Sequence, residues 1–168
     1  MREPLLTAFG LGKLPRAPGT WGSLPVAVLF AFLMLFTSNW LTSLSMLILL
    51  LGASAVTICF GRWAAEHWGR PDPQAVVSDE VAGQSLVFLC LPWGDRILDD
   101  RPVVFIAIAI LGFILFRLFD ILKPPPIHIL EQLKNGWGVL MDDLLAALMA
   151  GALLWLMVWG VGSTIGSG

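Results

Sequence analysis

The sequence predicts an all-helical membrane protein, a polytopic bundle of about five spans that occupies residues 1–168 as a single domain. Three observations predict it. Of the 168 residues, 57% are hydrophobic and only 13% charged, and the mean hydropathy of +0.83 lies outside the range of soluble globular domains. Uncharged runs long enough to cross lipid recur along the chain. When those runs are laid across a bilayer, most of the Lys and Arg residues fall on one side.

The first run, Ala17 to Gly61, holds 45 residues without Asp, Glu, Lys or Arg. That is enough for two spans of about 20 residues each, joined by the polar stretch TSNWLTS (Thr37 to Ser43). No secretory signal precedes it: Arg2, Lys13 and Arg16 are scattered among Pro and Gly, and no small-residue cleavage site follows, so the first span is expected to stay. Val81 to Gly94 and Pro102 to Phe116 are shorter, at 14 and 15 residues. Each must take in part of its flanks to cross about 30 Å of hydrocarbon. That brings Asp79 and Glu80 into one and Arg117 and Asp120 into the other, and ionisable groups so placed are costly and mark functional sites. Leu144 to Gly168 forms the last span.

Five crossings put Arg2, Lys13, Arg16, Arg62, Arg70, Arg117, Lys123 and Lys134 on one side and Arg96 and Arg101 on the other, eight against two. By the positive-inside rule the N-terminus and both polar segments are cytoplasmic, with the loop GDRILDDR outside. A re-entrant hairpin over Val81 to Gly94 is the alternative, and it would upset this count. Gly52, Gly61, Gly83, Gly112 and Gly151 interrupt apolar runs, where close helix packing is their usual purpose.

Other classes are poorly supported. Cys59 and Cys90 lie in apolar surroundings without C-x-x-C spacing, as buried small hydrophobes do. His67 and His128 are read as interfacial residues. The net charge of −2 and the lack of a basic run leave no footprint for nucleic acid.

Four polar clusters fall on the proposed cytoplasmic face. GLGKLPRAPGTWGS (Gly10 to Ser23) interleaves Gly and Pro with Lys13, Arg16 and Thr20 before a helix start; it offers an anion cradle of backbone amides and cations, or simply a juxtamembrane loop. SDEVAGQ (Ser78 to Gln84) provides Ser78 as a helix cap, and Asp79 and Glu80 either complement the helix dipole or form a negative notch beside Gly83. FRLFDILKPPP (Phe116 to Pro126) sets Arg117, Asp120 and Lys123 three residues apart on one helix face, and Pro124 forces Lys123 out of the helix. In GVLMDD, Asp142 and Asp143 point about 100° apart. They can reach different neighbours or share one multivalent cation, and a dipole cap would need only one of them.

Five carboxylates, Asp79, Glu80, Asp120, Asp142 and Asp143, would repel one another without a counter-ion. A divalent cation resolves this, and all-oxygen ligation selects Mg²⁺, Mn²⁺ or Ca²⁺ over zinc. The remaining cations, Lys13, Arg16, Arg117 and Lys123, suit a phosphate. No C-x5-R loop, D-x-D-x-T box or histidine set is present for a covalent route, so metal-activated water is the economical nucleophile.

The stretches APGTWGS, SDEVAGQ, FRLFDILKPPPI and GVLMDD, in that order over nearly the whole chain, resemble those of the phosphatidylglycerophosphatase A family of bacterial lipid phosphatases. Departures are small: Ala147 stands where the family continues with Gly, and Asn135 replaces one of a glycine pair. The resemblance implies a helical, Mg²⁺-dependent phosphomonoesterase that converts phosphatidylglycerophosphate to phosphatidylglycerol at the cytoplasmic face of the inner membrane. It implies Asp79, Glu80, Asp120, Asp142 and Asp143 as metal ligands, and Asp79, Arg117, Asp120, Lys123 and Asp143 as catalytic. Arg117 and Lys123, with Lys13, Arg16 and Thr20 assisting, would bind the phosphate. The competing expectation is a small transporter or channel for a divalent cation.

Overall fold

The computed structural model describes residues 1–92, 102–125 and 136–165, with side chains as far as Gly160. The GDRILDDR loop with Arg96 and Arg101, as well as His128, Lys134 and Asn135, lies outside the described residues. Among the described residues there are six α-helices and no strand: α1 (Arg2–Leu6), α2 (Pro18–Phe36), α3 (Asn39–Trp68), α4 (Ser78–Leu89), α5 (Pro102–Leu122) and α6 (Gly136–Ile165). A 3-10 turn, Leu11–Lys13, links α1 to α2.

The helices begin and end where local chemistry dictates. Proline opens α2 at Pro18 and α5 at Pro102, where a missing N–H costs nothing. Gly69, at φ 67, closes α3 in the left-handed conformation. Between α2 and α3 the polar knot needs only Thr37 and Ser38, and Thr37 Oγ1 donates back to the Leu33 carbonyl at 2.7 Å.

Four helices, α2, α3, α5 and Gly136–Gly160 of α6, are long and apolar enough to cross a membrane. The run beginning at Val81 differs from a full-length fifth span. It forms the 12-residue α4, about 18 Å long by helical rise and short of the hydrocarbon thickness. α4 is an internal helix, with eight of its residues buried. Such burial lets a short helix carry polar residues that lipid would not tolerate.

Direction still alternates. A Cβ on Gly83 would lie 2.6 Å from Phe116, and one on Gly112 would lie 2.7 Å from Phe88, so α4 and α5 run antiparallel. Gly83 also approaches the Asp143 carbonyl and Gly151 approaches Cys90, so α4 and α6 run parallel. Phe30 of α2 stacks on Phe88 with ring centroids 4.0 Å apart, at the centre of the apolar core. The N-terminal ends of α2, α4 and α6 therefore meet the C-terminal ends of α3 and α5 at one end of the bundle.

Of the glycines expected at helix contacts, Gly61, Gly83, Gly112 and Gly151 are buried there. Gly52 is exposed with open space around it and packs on nothing. Exposed Trp21 and Trp137 ring the polar end, while Trp40 and the stacked pair Trp155 and Trp159 lie toward the other, as aromatic residues do at the two membrane surfaces.

Candidate active site

Chain crowding builds the site at the polar end. The Val77 amide donates to the Leu6 carbonyl at 2.8 Å, fixing the entry to α4. Ser78 was expected to cap α4, but no side-chain cap bond forms. Its hydroxyl lies 2.7 Å from the Thr57 hydroxyl of α3 instead, a buried link that sets the first turn of α4 against its neighbour. Asp79 and Glu80 follow. Asp79 is 4% exposed and accepts the Glu80 amide at 3.0 Å.

Burial pushes the Asp79 carboxyl well above its usual range, and the adjoining Glu80 adds to the effect. Burial likewise pushes Glu80 up to about 8; a hydrogen bond with Asp79 opposes this, the charges of Asp143 and Asp120 reinforce it, and Arg117 opposes it.

The C-terminal part of α5 supplies Arg117 and Asp120, an i,i+3 ion pair at 2.7 Å that is mostly buried. Lys123 follows at φ 41, left-handed, because Pro124 prevents another helical turn. Beyond the expected line of three charges on one face, Lys123 reaches across to α6, where its Nζ meets Asp142 Oδ2 at 2.6 Å. Asp142 Oδ1 accepts the Asp143 amide at 3.2 Å.

Oxygens of Asp79, Glu80 and Asp143 all lie within 4.8 Å of one another. Glu80 Oε2 and Asp143 Oδ2 are buried with no hydrogen-bond partner. Orphaned anionic oxygens of this kind are costly, and an all-oxygen set of three carboxylates fits a hard divalent cation.

These acids, with Asp120, Asp142, Arg117 and Lys123, line one cleft of about 190 Å³. At the entry to α2 it is Ala17, Pro18 and Gly19 that reach the cleft; Lys13, Arg16 and Thr20 do not line it. Lys13 pairs with Glu3 at 2.6 Å, and this partner holds the Glu3 carboxyl below its usual range. Arg16 is exposed, with its carbonyl accepting the Trp21 indole N–H at 3.1 Å, and Thr20 is half-buried in the first turn of α2.

Sequence reasoning passed over Gly19 and Asp72. A Cβ on Gly19 would strike the Glu80 carboxylate and come 2.8 Å from Arg117 Nη1, so α2 can lie against the site only through a bare backbone. The adjoining Pro18, which marks a helix start, was the only signal beside it in the sequence. Asp72 stands in RPDPQ ahead of α4 and lines the cleft. Its signal was an acid between two prolines, rigid and close to SDE in the chain.

The profile of a family described as Phosphatidylglycerophosphatase A matches residues 5–158. A Bacteroides thetaiotaomicron protein provisionally named phosphatidylinositol-3-phosphatase is 36% identical over 93% of this chain and 92% of its own. A Haemophilus influenzae protein named phosphatidylglycerophosphatase A is 34% identical, over 87% of this chain and 82% of its own. An Escherichia coli protein of the same name is 32% identical, over 91% and 81%. No solved structure matches.

Proposed function

Since the chain belongs to the phosphatidylglycerophosphatase A family, we propose that it hydrolyses the phosphomonoester of phosphatidylglycerophosphate to phosphatidylglycerol and inorganic phosphate, with Mg²⁺ as cofactor. The observation that carries this reading is the meeting of Asp79, Glu80 and Asp143 within 4.8 Å, beside Arg117 and Lys123 in one cleft. Carboxylates alone would repel a phosphate, and cations alone would not need three acids brought together, two of them buried.

Asp79, Glu80 and Asp143 would hold the ion, with Asp120 adjoining. When bound, Mg²⁺ neutralises phosphate charge and lowers the pKa of a water held beside it. Arg117, held by Asp120, offers a guanidinium to the equatorial oxygens, and Lys123 brings its ammonium to the same cleft. The bond between phosphorus and the glycerol oxygen breaks, a water oxygen takes its place on phosphorus, and the departing alkoxide gains a proton. Lys13, Arg16 and Thr20 lie at or before the start of α2 and outside the cleft lining, so in this reading any contact they make is with the rest of the head group and not with the phosphate.

Residues 1–168 work as one domain in this reading, since the cleft draws on α2, α4, α5 and α6 together. Among the described residues every Lys and Arg lies toward the polar end of the bundle, which supports a cytoplasmic cleft in a bacterial inner membrane. A cation transporter would need acids through the depth of the bundle. The described acids gather at one end, which favours the phosphatase.

The test is release of inorganic phosphate by the purified protein in detergent, from phosphatidylglycerophosphate and from phosphatidylinositol 3-phosphate, with Mg²⁺ or with EDTA. Mg²⁺-dependent release from phosphatidylglycerophosphate, lost in Asp79→Asn, is expected. Release only from the inositol lipid would move the substrate, and no metal-dependent release from either would sink the reading.

A further inference from the structure

The two adjacent acids of α6 do not share one task. We infer that Asp142 is a positioning residue for Lys123 and gives no ligand to the cation, whereas Asp143 is the ligand. The inference rests on the lipid phosphatase reading and narrows the ligand set that the sequence suggested.

Both Asp142 oxygens are engaged within the protein: Oδ2 accepts from Lys123 Nζ at 2.6 Å and Oδ1 accepts the Asp143 amide at 3.2 Å. Asp143 Oδ2 is buried with no partner. Asp143 belongs to the triad of acids whose oxygens lie within 4.8 Å of one another; Asp142 does not. Helical geometry explains the split, because neighbouring residues point about 100° apart. Asp143 turns toward the start of α4, and Asp142 turns toward the end of α5.

Lys123 needs such a partner. It sits at φ 41, a conformation that non-glycine residues adopt at a cost of about 1–2 kcal/mol, one residue beyond the end of α5. From there a four-carbon stem could take many rotamers, each with its ammonium in a different place. A buried carboxylate, 6% exposed in its side chain, narrows that choice by holding the ammonium at 2.6 Å. The ammonium has three N–H donors, and holding one on Asp142 aims the group into the cleft that Lys123 and Asp142 both line. Asp142 stands outside the triad of acids, and its side chain is held on the amine instead.

Mn²⁺ titration of the purified full chain, followed by electron paramagnetic resonance, separates the two roles, with lipid phosphatase kinetics run in parallel. Asp143→Asn is expected to weaken Mn²⁺ binding at least about tenfold, while Asp142→Asn keeps it within about twofold and lowers kcat/KM about 10–100-fold. The double variant Asp142→Asn with Lys123→Ala should be no worse than Lys123→Ala alone, the mark of two residues acting as a unit. Thermal melting accompanies each variant, and Asp142→Ser is used should Asp142→Asn not melt cooperatively. Mn²⁺ affinity lost in a folded Asp142 variant as in Asp143→Asn, or losses in kcat/KM that multiply, would overturn the assignment. A wild-type protein that binds Mn²⁺ but releases no phosphate from any lipid overturns the phosphatase reading instead, and the Mn²⁺ measurements still decide Asp142.

Discussion

Thr57 and Ser78 place their hydroxyls 2.7 Å apart in the interior, joining α3 to the residue immediately before Asp79. The same turn of α3 meets Gly136, where any Cβ would strike the Thr57 carbonyl. One turn of α3 thus sets the starts of both helices that bear the acidic triad.

Thr57→Val keeps the shape and removes the partner of the buried Ser78 hydroxyl. The expected loss is about 1–3 kcal/mol of stability, together with lower kcat/KM, because the first turn of α4 is no longer pinned. Adding Ser78→Ala should recover most of the stability, since an apolar pair leaves nothing unsatisfied. Thermal melts of the two variants check this; a double variant less stable than Thr57→Val would show that the link is not what holds α4.

Gly19→Ala tests the site from α2. Its Cβ would meet the ends of the Glu80 and Arg117 side chains, which can swing away. Stability should therefore change little, while displacing both groups lowers kcat/KM about 100-fold, as small misplacements at a reacting centre do. An active Gly19→Ala protein would mean that neither group is used as drawn.

Two other glycines form a matched pair. A Cβ on Gly83 would come 2.6 Å from Phe116, which is fully buried and cannot retreat. Gly83→Ala is expected to cost about 1–3 kcal/mol by overpacking. Gly52 has nothing within 4 Å, so Gly52→Ala should melt as the wild type does. Equal melting temperatures for the two variants would contradict the packing of α4 on α5.

Metal removal should make stability depend on pH in a definite direction. Without a cation, burial pushes Glu80 from its ordinary 4.5 up to about 8, and Asp79 moves the same way. An acid that binds its proton more tightly when folded stabilises the fold fully below its unfolded pKa and loses that contribution as pH rises through the folded one. EDTA-treated protein should melt lower as pH is raised from about 5 to about 8. Added Mg²⁺ should restore more of the melting temperature at the upper end of that window than at the lower. A flat profile would mean that these acids are not held as buried, uncompensated groups.

Composition and hydropathy alone carried the class of fold, and the placement of charges brought out most of the acids and bases that line the cleft, though it passed over Asp72 and Gly19. An uncharged run of 45 residues has few soluble solutions, and Pro and Gly marked the ends of α2, α3 and α5. Charges inside apolar runs pointed to Asp79, Glu80, Arg117, Asp120, Asp142 and Asp143 because lipid tolerates such groups only in company. What tertiary structure decided was who keeps company with whom. Hydropathy registers how apolar a run is and not what covers it, so α4 read as another span when neighbouring helices in fact enclose it. Lys123 stands three residues from Asp120 and nineteen from Asp142. Sequence spacing pointed to the first as its partner, and only the approach of α6 past the break at Pro124 revealed the second. Gly19 escaped notice for the same reason: what a missing side chain makes room for is visible only once the neighbour that fills the space is in place.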